Sequence, residues 1–162
     1  MIVIADTSPI HYLVLVNEIA VLPRLFRQVL IPREVFKELT DQAAPAAVLE
    51  WANKMPAWLE IQSIDSALTL AIPELDPGEE AAIRLAQQQQ SDTFLLMDDA
   101  KGRRVAARLG IRTTGTLGVL VGASRAGLLT LQDVLPQLLR TNFYITSTLM
   151  NQLLEDERSR NA

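Results

Sequence analysis

The first nine residues constrain the fold more than any other stretch of the sequence. They read Met1-Ile-Val-Ile-Ala-Asp-Thr-Ser-Pro9, and the unbroken apolar run before Asp6 is typical of a strand buried on both faces. Pro9 suits the first turn of a following helix. In open parallel sheets, ligands bind beyond the carboxyl ends of the strands. The opening therefore predicts an α/β fold that carries Asp6 at its functional edge.

The same order of apolar run and acid returns at 93–99, where TFLLM precedes two aspartates. Shorter apolar or alternating runs predict further strands at 28–31, 59–64 and 111–114, of which 59–64 suits a sheet edge. Helical patterns separate these strands. An alternation of this kind predicts an α/β sandwich around a mostly parallel sheet.

Local signals set the predicted helix boundaries. We expect Asn17 to break the segment 8–26 into two short helices, and Gly110 to end a helix over 101–109. Thr130 and Asp133 fit a capping box at the start of a late helix. The other predicted helices cover 33–40, 45–55, 78–90, 117–126, 130–139 and 146–158, the last with a frayed polar tail.

The composition excludes several classes of protein. Hydrophobic residues make up 49% of the 162 positions, which is incompatible with wholesale disorder. The absence of cysteine excludes disulfides and thiolate metal sites. A net charge of −4 argues against a protein that coats nucleic acid through bulk positive charge, but it is compatible with a nuclease whose acidic site binds cations.

The length and the opening residues predict where the protein is found. The start lacks the basic region of a signal peptide, and no apolar stretch approaches the ~20 residues of a membrane span. We therefore expect a cytoplasmic protein without a membrane partner. We also expect a single domain over 1–162, with a core at about 1–126 and C-terminal helices at about 130–158.

Acidic residues from four predicted elements are candidates for one site. Two of the elements are strands that end in acid, and the other two are helices whose glutamates lie beside inward-facing apolar residues. Carboxylates, with no cysteine and one histidine in the chain, suit Mg²⁺ or Mn²⁺ rather than zinc. Two such ions would activate a water and neutralise the charge on a scissile phosphate. The candidates are Asp6, Glu38, Glu79, Asp98 and Asp99.

Each of these acids also has a purely structural interpretation. Asp6 and Asp98 suit helix N-caps, and Glu79 suits a partner of the helix dipole. The repetition of a strand followed by acid favours a shared acidic pocket. Both interpretations stay open from the sequence alone.

Five segments together resemble the PIN-domain family, specifically its toxin branch of VapC-type ribonucleases. They read VIADTSP, IPREVFKEL, LDPGEEAAIRLA, LLMDDAKGRRVAARLGI and TTGTLGVLVGA, in that order. The resemblance implies a three-layer α/β/α sandwich whose central, mostly parallel sheet has four to five strands. It implies a ribonuclease dependent on Mg²⁺ or Mn²⁺, with Asp6, Glu38, Glu79 and the pair Asp98 and Asp99 as catalytic metal ligands.

The resemblance also implies partners. The protein would be the toxin of a type II toxin–antitoxin pair, would cut RNA, would be inhibited by a small antitoxin protein and would form a homodimer. The apolar helices at 8–26 and the alanine-rich segment 43–58 are candidate surfaces for the protein contacts.

Polar residues around the acids are candidates for binding the substrate. Thr7 and Ser8 follow the first acid, and Thr114 and Thr116 offer hydroxyls at a helix start that suits an anion, although Thr114 also suits a simple cap. Five of the fifteen basic residues fall in 101–112. Of these, Lys101 and Arg104 are candidates for holding the RNA backbone, and a solvated helix face is the alternative.

Two other functions are compatible with parts of the pattern. A PIN fold that has lost turnover would act as an RNA- or protein-binding module, although every expected acid position is filled. An aspartyl-phosphate protein also carries acids at strand ends. It would need an Asp-x-Asp nucleophile pair, or an acidic pair on the first strand with a distant lysine, and the sequence Asp6-Thr-Ser lacks both.

Overall fold

A computed structural model describes residues 1–65, 72–89 and 92–162. It contains a five-stranded sheet in which every pair of neighbouring strands is parallel, with the order β3-β2-β1-β4-β5. This confirms the predicted α/β architecture and places 59–62 at an edge, as expected. The strands are β1 (Ile2–Ala5), β2 (Gln28–Pro32), β3 (Leu59–Gln62), β4 (Thr93–Leu96) and β5 (Arg112–Thr114).

The central strand β1 is buried on both faces, as its unbroken apolar run predicts. Val3 and Ala5 pack into one hydrophobic core, whereas Ile2 and Ile4 pack into the other. Successive side chains of a strand point to opposite faces, so an unbroken apolar run can supply both cores. The sheet therefore separates two layers of helices.

The helices follow the predicted order. A 3₁₀ turn at Ile19–Val21 lies between the first two of them, and Asn17 adopts a left-handed φ of 58° at the break. Gly110 adopts a φ of 73° after the helix that it was predicted to end. The helices are α1 (Thr7–Leu15), α2 (Leu22–Leu25), α3 (Arg33–Leu39), α4 (Ala46–Asn53), α5 (Pro77–Gln88), α6 (Ala100–Arg108), α7 (Thr116–Arg125), α8 (Leu131–Leu139) and α9 (Ser147–Asn161).

The helices form two layers, so the sandwich has three layers as expected. Helices α1, α3, α4, α7 and α8 contribute to the core on the Val3 face, and α5 and α6 cover the Ile4 face. The predicted boundaries differ from the observed ones by a few residues. Strand β3 ends at Gln62, α5 begins at Pro77, and Gln90, to which that helix was predicted to extend, lies outside the described residues.

The predicted capping box at the start of α8 is wrong. The Thr130 hydroxyl donates to Asp133 Oδ2 at 2.6 Å and does not cap the helix. Glu157 of α9 caps it instead, because its carboxylate accepts the backbone N–H groups of Leu131 at 2.7 Å and Gln132 at 3.1 Å. Glu157 is only 5% exposed, and α9 extends beyond the predicted helix end at 158 to Asn161.

Among the described residues, no helix has both the length and the apolar character of a membrane span.

Candidate metal centre and adjoining cleft

Asp6 lies where β1 ends, at the centre of the sheet. Its backbone N–H donates to the Leu96 carbonyl of β4 at 2.9 Å, which fixes the residue beside the neighbouring strand end. Asp6 occupies the N-cap position of α1, yet within the described chain its side chain makes no capping hydrogen bond. Helix capping therefore does not account for this carboxylate.

The environment of Asp6 disfavours a negative charge. The residue is 4% exposed, and its buried Oδ1 atom has no hydrogen-bond partner among the described residues. Burial raises its pKa to about 8, against the opposing effect of the Thr7 backbone N–H. The negative charges of Asp76, Glu79 and Glu38 raise the pKa further. A buried, unpaired carboxylate is costly unless something positive compensates it.

Glu38, near the end of α3, lies next to Asp6 and is held by two donors. The Thr7 hydroxyl donates to its Oε2, and the Gly78 backbone N–H donates to its Oε1 at 3.0 Å. Burial raises the pKa of Glu38, and the charge of Asp76 adds to this effect, while the two donors lower it. Glu38 is thus a fixed carboxylate that links α1, α3 and α5.

The third acid of this group is Asp76, which the sequence analysis did not single out. Asp6, Glu38 and Asp76 each offer a carboxylate oxygen, and these three oxygens lie within 4.8 Å of one another. Asp76 is the N-cap of α5, and it forms a capping box with Glu79. Its Oδ1 accepts the Glu79 N–H at 2.8 Å, and Glu79 Oε2 accepts the Asp76 N–H at 3.1 Å.

A signal for Asp76 was present in the sequence. An aspartate followed by proline and, three residues after it, by glutamate is a helix start with proline at its first position. A helix start predicted at Gly78 instead favoured Glu79 as the acid of this segment. Glu79 turns back to its own N-cap and lies outside the three-oxygen group, so its role as a metal ligand stays a prediction.

Glu79 faces a cleft that adjoins the three-acid group. This cleft has a volume of about 620 Å³ and is also lined by Asp98 and Asp99. Burial raises the pKa of Glu79 to about 7, the Asp76 backbone N–H opposes this, and the charges of Asp76 and Asp99 raise it further. The negative charges of Asp76 and Asp99 thus make ionisation of Glu79 less favourable.

Asp98 and Asp99 each accept a backbone N–H at the start of a different helix. Asp99 caps α6 by accepting the Gly102 N–H at 2.7 Å. Asp98 accepts the Thr116 backbone N–H and hydroxyl, each at 2.7 Å, at the start of α7. Burial raises the pKa of Asp98, while the Thr116 donors and Arg103 lower it. A Cβ atom on Gly115 would lie 2.7 Å from Asp98 Oδ1, so a glycine is needed for this approach.

Comparison with family models identifies the family of this fold. A family model described as a PIN domain, DUF3368, matches residues 2–158. The chain belongs to the PIN-domain family. Comparison with curated proteins gives no match.

The donor set of this PIN domain fits a hard divalent cation. The three oxygens of Asp6, Glu38 and Asp76 are all carboxylate oxygens, the ligands that Mg²⁺ and Mn²⁺ prefer. Among the described residues, none donates to Oδ1 of Asp6 the hydrogen bond that a buried carboxylate requires. Burial is the main cause of the raised pKa values of Asp6 and Glu38, and the neighbouring negative charges add to it; a cation bound here would stabilise the ionised forms against both effects.

The predicted substrate-binding residues of the PIN domain divide into two sets. Ser8 and Thr114 line the cleft beside the acids. Thr7 and Thr116 instead use their hydroxyls on Glu38 and Asp98, and Thr116 is fully buried. In the structure these two threonines position carboxylates, and direct contact with a substrate remains a prediction for them.

The basic residues of α6 also differ in position. Arg103, which was not selected from the sequence, lines the acidic cleft together with Asp98. Arg104 lines a second groove that Asp98 and Arg103 share, and a third groove with Lys101 and Arg108. Arg103 is thus shared by the cleft and the second groove, and Arg104 by the second and third grooves. The sequence showed the cluster of basic residues but not which of them faces the cleft.

Proposed function

We propose that this PIN domain is an endoribonuclease that requires Mg²⁺ or Mn²⁺. The observation that carries the proposal is the buried Asp6 Oδ1 atom, which has no partner among the described residues and belongs to a three-carboxylate group within 4.8 Å. Asp6, Glu38 and Asp76 would hold the cation. Glu79, Asp98 and Asp99 would extend the acidic site along the cleft.

The residues around the acids would have separate roles in the reaction. The chemistry supplied by a bound divalent cation is activation of a water and neutralisation of charge on the scissile phosphate. Thr7 and the Gly78 N–H orient the Glu38 carboxylate, and Thr116 orients Asp98. Arg103 offers a guanidinium for a phosphate, because it lines the same cleft as the acids. Ser8 and Thr114 would donate hydrogen bonds to the RNA backbone.

Lys101 and Arg104 would hold the RNA chain beyond the cleft. Arg104 shares one groove with Arg103 and another with Lys101, so a strand leaving the acids could contact these basic residues in turn. Each such contact contributes to affinity without reading sequence. Their removal should weaken binding and reduce its dependence on salt concentration.

We further propose that the protein is the cytoplasmic toxin of a type II toxin–antitoxin pair and forms a homodimer. A hollow of about 390 Å³ lies beside Glu38 and is lined partly by Ala43, Ala44 and Val48 of the alanine-rich segment. This supports a binding place for an antitoxin segment that would reach the acids. Relief of growth inhibition by a small neighbouring open reading frame tests this role. The whole chain 1–162 would act as a single domain.

A cleavage assay tests the ribonuclease. The purified protein should cut single-stranded RNA with Mg²⁺ or Mn²⁺ and lose this activity with EDTA. The Asp6→Asn variant should lose cleavage by at least about a hundredfold, because it removes one charge from the metal group. Asp156→Asn removes an exposed charge on α9 and is the matched control. RNA binding without any cleavage by the wild type would instead identify an inactive binding module.

A further inference from the structure

Three aromatic residues line the acidic cleft. Tyr12, Phe143 and Tyr144 contribute apolar surface to the same cleft as the carboxylates of Glu79 and Asp98. Tyr12 comes from α1, one turn after Ser8, whereas Phe143 and Tyr144 come from the connector between α8 and α9. The cleft thus joins charged groups that suit a phosphate to rings that suit an apolar, planar group.

The connector is held in place by its own contacts. The Tyr12 hydroxyl donates to Asn142 Oδ1 at 2.7 Å, and its ring meets that of Phe143 edge-on at 4.9 Å between centroids. The Phe143 N–H donates to the Thr141 hydroxyl at 3.1 Å. Tyr12 and Phe143 are therefore engaged in fixing the loop, and their rings are partly buried.

Tyr144 differs from its neighbours because it is 83% exposed while lining the same cleft. An exposed ring on a fixed loop can stack on a planar group with little loss of conformational entropy. A nucleobase is the planar group that accompanies a phosphate. Base–aromatic stacking is a major source of affinity in proteins that bind single-stranded nucleic acids.

We propose that Tyr144 stacks on an unpaired nucleobase adjacent to the scissile phosphate. This inference rests on the proposed ribonuclease function and adds a base-binding residue to its site. The bases of a continuous A-form duplex stack on one another and do not present a free face to a side chain. A duplex would therefore gain nothing from Tyr144.

A fluorescent adenine analogue, whose emission is quenched by stacking, provides the test. It is placed at each position in turn of a short single-stranded RNA and bound, with Mg²⁺, to the full-length Asp6→Asn protein to prevent cutting. We expect quenching at a position next to the cut site. Tyr144→Leu should abolish it and weaken binding about tenfold, whereas Tyr144→Trp should retain both. Leu139→Ala is a control at another exposed apolar residue, outside the cleft.

The possible results separate this inference from the proposed function. Cleavage of RNA by the wild type, with unchanged quenching and affinity in Tyr144→Leu, would overturn the stacking role alone. A loss of affinity in Tyr144→Leu that is as large for duplex RNA as for single-stranded RNA would also overturn it, because duplex bases offer no free face for stacking. A loss of self-association with unchanged RNA binding would assign Tyr144 to a protein interface. RNA that is neither bound nor cut by the wild type would overturn both the function and this inference.

Discussion

The backbone N–H of Gly78 donates a 3.0 Å hydrogen bond to Oε1 of Glu38, and any side chain at position 78 would have to displace this carboxylate. A Cβ atom there would lie 2.5 Å from Oε2 and 2.6 Å from Oε1 of the same carboxylate. The first turn of α5 therefore approaches Glu38 through a glycine. This approach also brings Asp76, two residues earlier, to the Asp6–Glu38 pair.

Gly78→Ala should weaken the binding of Mn²⁺ by at least about tenfold, because the methyl group displaces Glu38 from the metal group. Isothermal titration calorimetry with Mn²⁺ measures the change. Gly122→Ala is the matched control, since a Cβ on this glycine of α7 meets no described atom within 4 Å. Its affinity should be unchanged, and its stability unchanged or higher by up to ~1 kcal/mol. Wild-type Mn²⁺ affinity in Gly78→Ala would contradict the proposed ligand geometry.

Asp76→Asn and Glu79→Gln distinguish the two acids of the capping box. Asparagine remains a good N-cap, so the first variant should fold normally while it loses one metal-binding charge. We expect Asp76→Asn to lower Mn²⁺ affinity more than tenfold. Glu79→Gln should lower it less, because the three-oxygen group contains Asp76 and not Glu79. Calorimetric titration of both variants checks the order. A larger loss of Mn²⁺ affinity in Glu79→Gln than in Asp76→Asn would identify Glu79 as the third ligand in place of Asp76.

The sequence predicted the fold well because its signals are local. The unbroken apolar runs before Asp6 and Asp98 indicate strands buried on both faces, and the glycine at 110 indicates a helix end. Parallel strands place their carboxyl ends at one edge of the sheet. The placement of Asp6 and Asp98 at the same edge thus followed from the topology of β1 and β4.

The details of the site could not be predicted because they depend on contacts between distant segments. Asp76 becomes part of the acid group only because α5 packs so closely on Glu38. Which arginine of α6 faces the cleft depends on how that helix lies against β5. The exposed Tyr144 has no periodic signal at all, since its connector is fixed by Tyr12 from the other end of the chain.

The metal-free protein should lose stability as the pH rises. The pKa of Asp6 is raised to about 8 in the folded protein by burial and nearby acids, against ~3.9 in an unfolded chain. Between these values the folded state retains a proton that the unfolded state releases. The stabilisation is therefore complete below about pH 4 and is lost as the pH rises through about 8. Glu79, with a pKa raised to about 7 by burial, acts in the same direction.

Thermal unfolding in EDTA, compared at mildly acidic and mildly alkaline pH, checks this dependence. The Tm should fall towards alkaline pH in the wild type and should vary less in Asp6→Asn. Saturating Mn²⁺ should raise the Tm most at alkaline pH, since the cation binds ionised carboxylates of the folded state. An EDTA-treated wild type that is more stable at pH ~8 than at pH ~5 would contradict the sign.

Glu157→Gln should destabilise the fold by about 2–3 kcal/mol, because the Glu157 carboxylate accepts charge-assisted hydrogen bonds from Leu131, Gln132 and Ser124 in a buried setting. This corresponds to a decrease in Tm of roughly 4–12 °C for a chain of this length. Burial opposes the ionisation of Glu157, but these donors together lower its pKa, so its contribution should be lost as the pH falls below about 4.5. The variant should therefore be less sensitive to acid than the wild type in denaturant titrations. Glu155→Gln on the same helix removes an exposed ion pair with Arg158 and is the matched control. It should change the stability by less than ~0.5 kcal/mol. An equal loss of stability in both variants would contradict the capping role of Glu157.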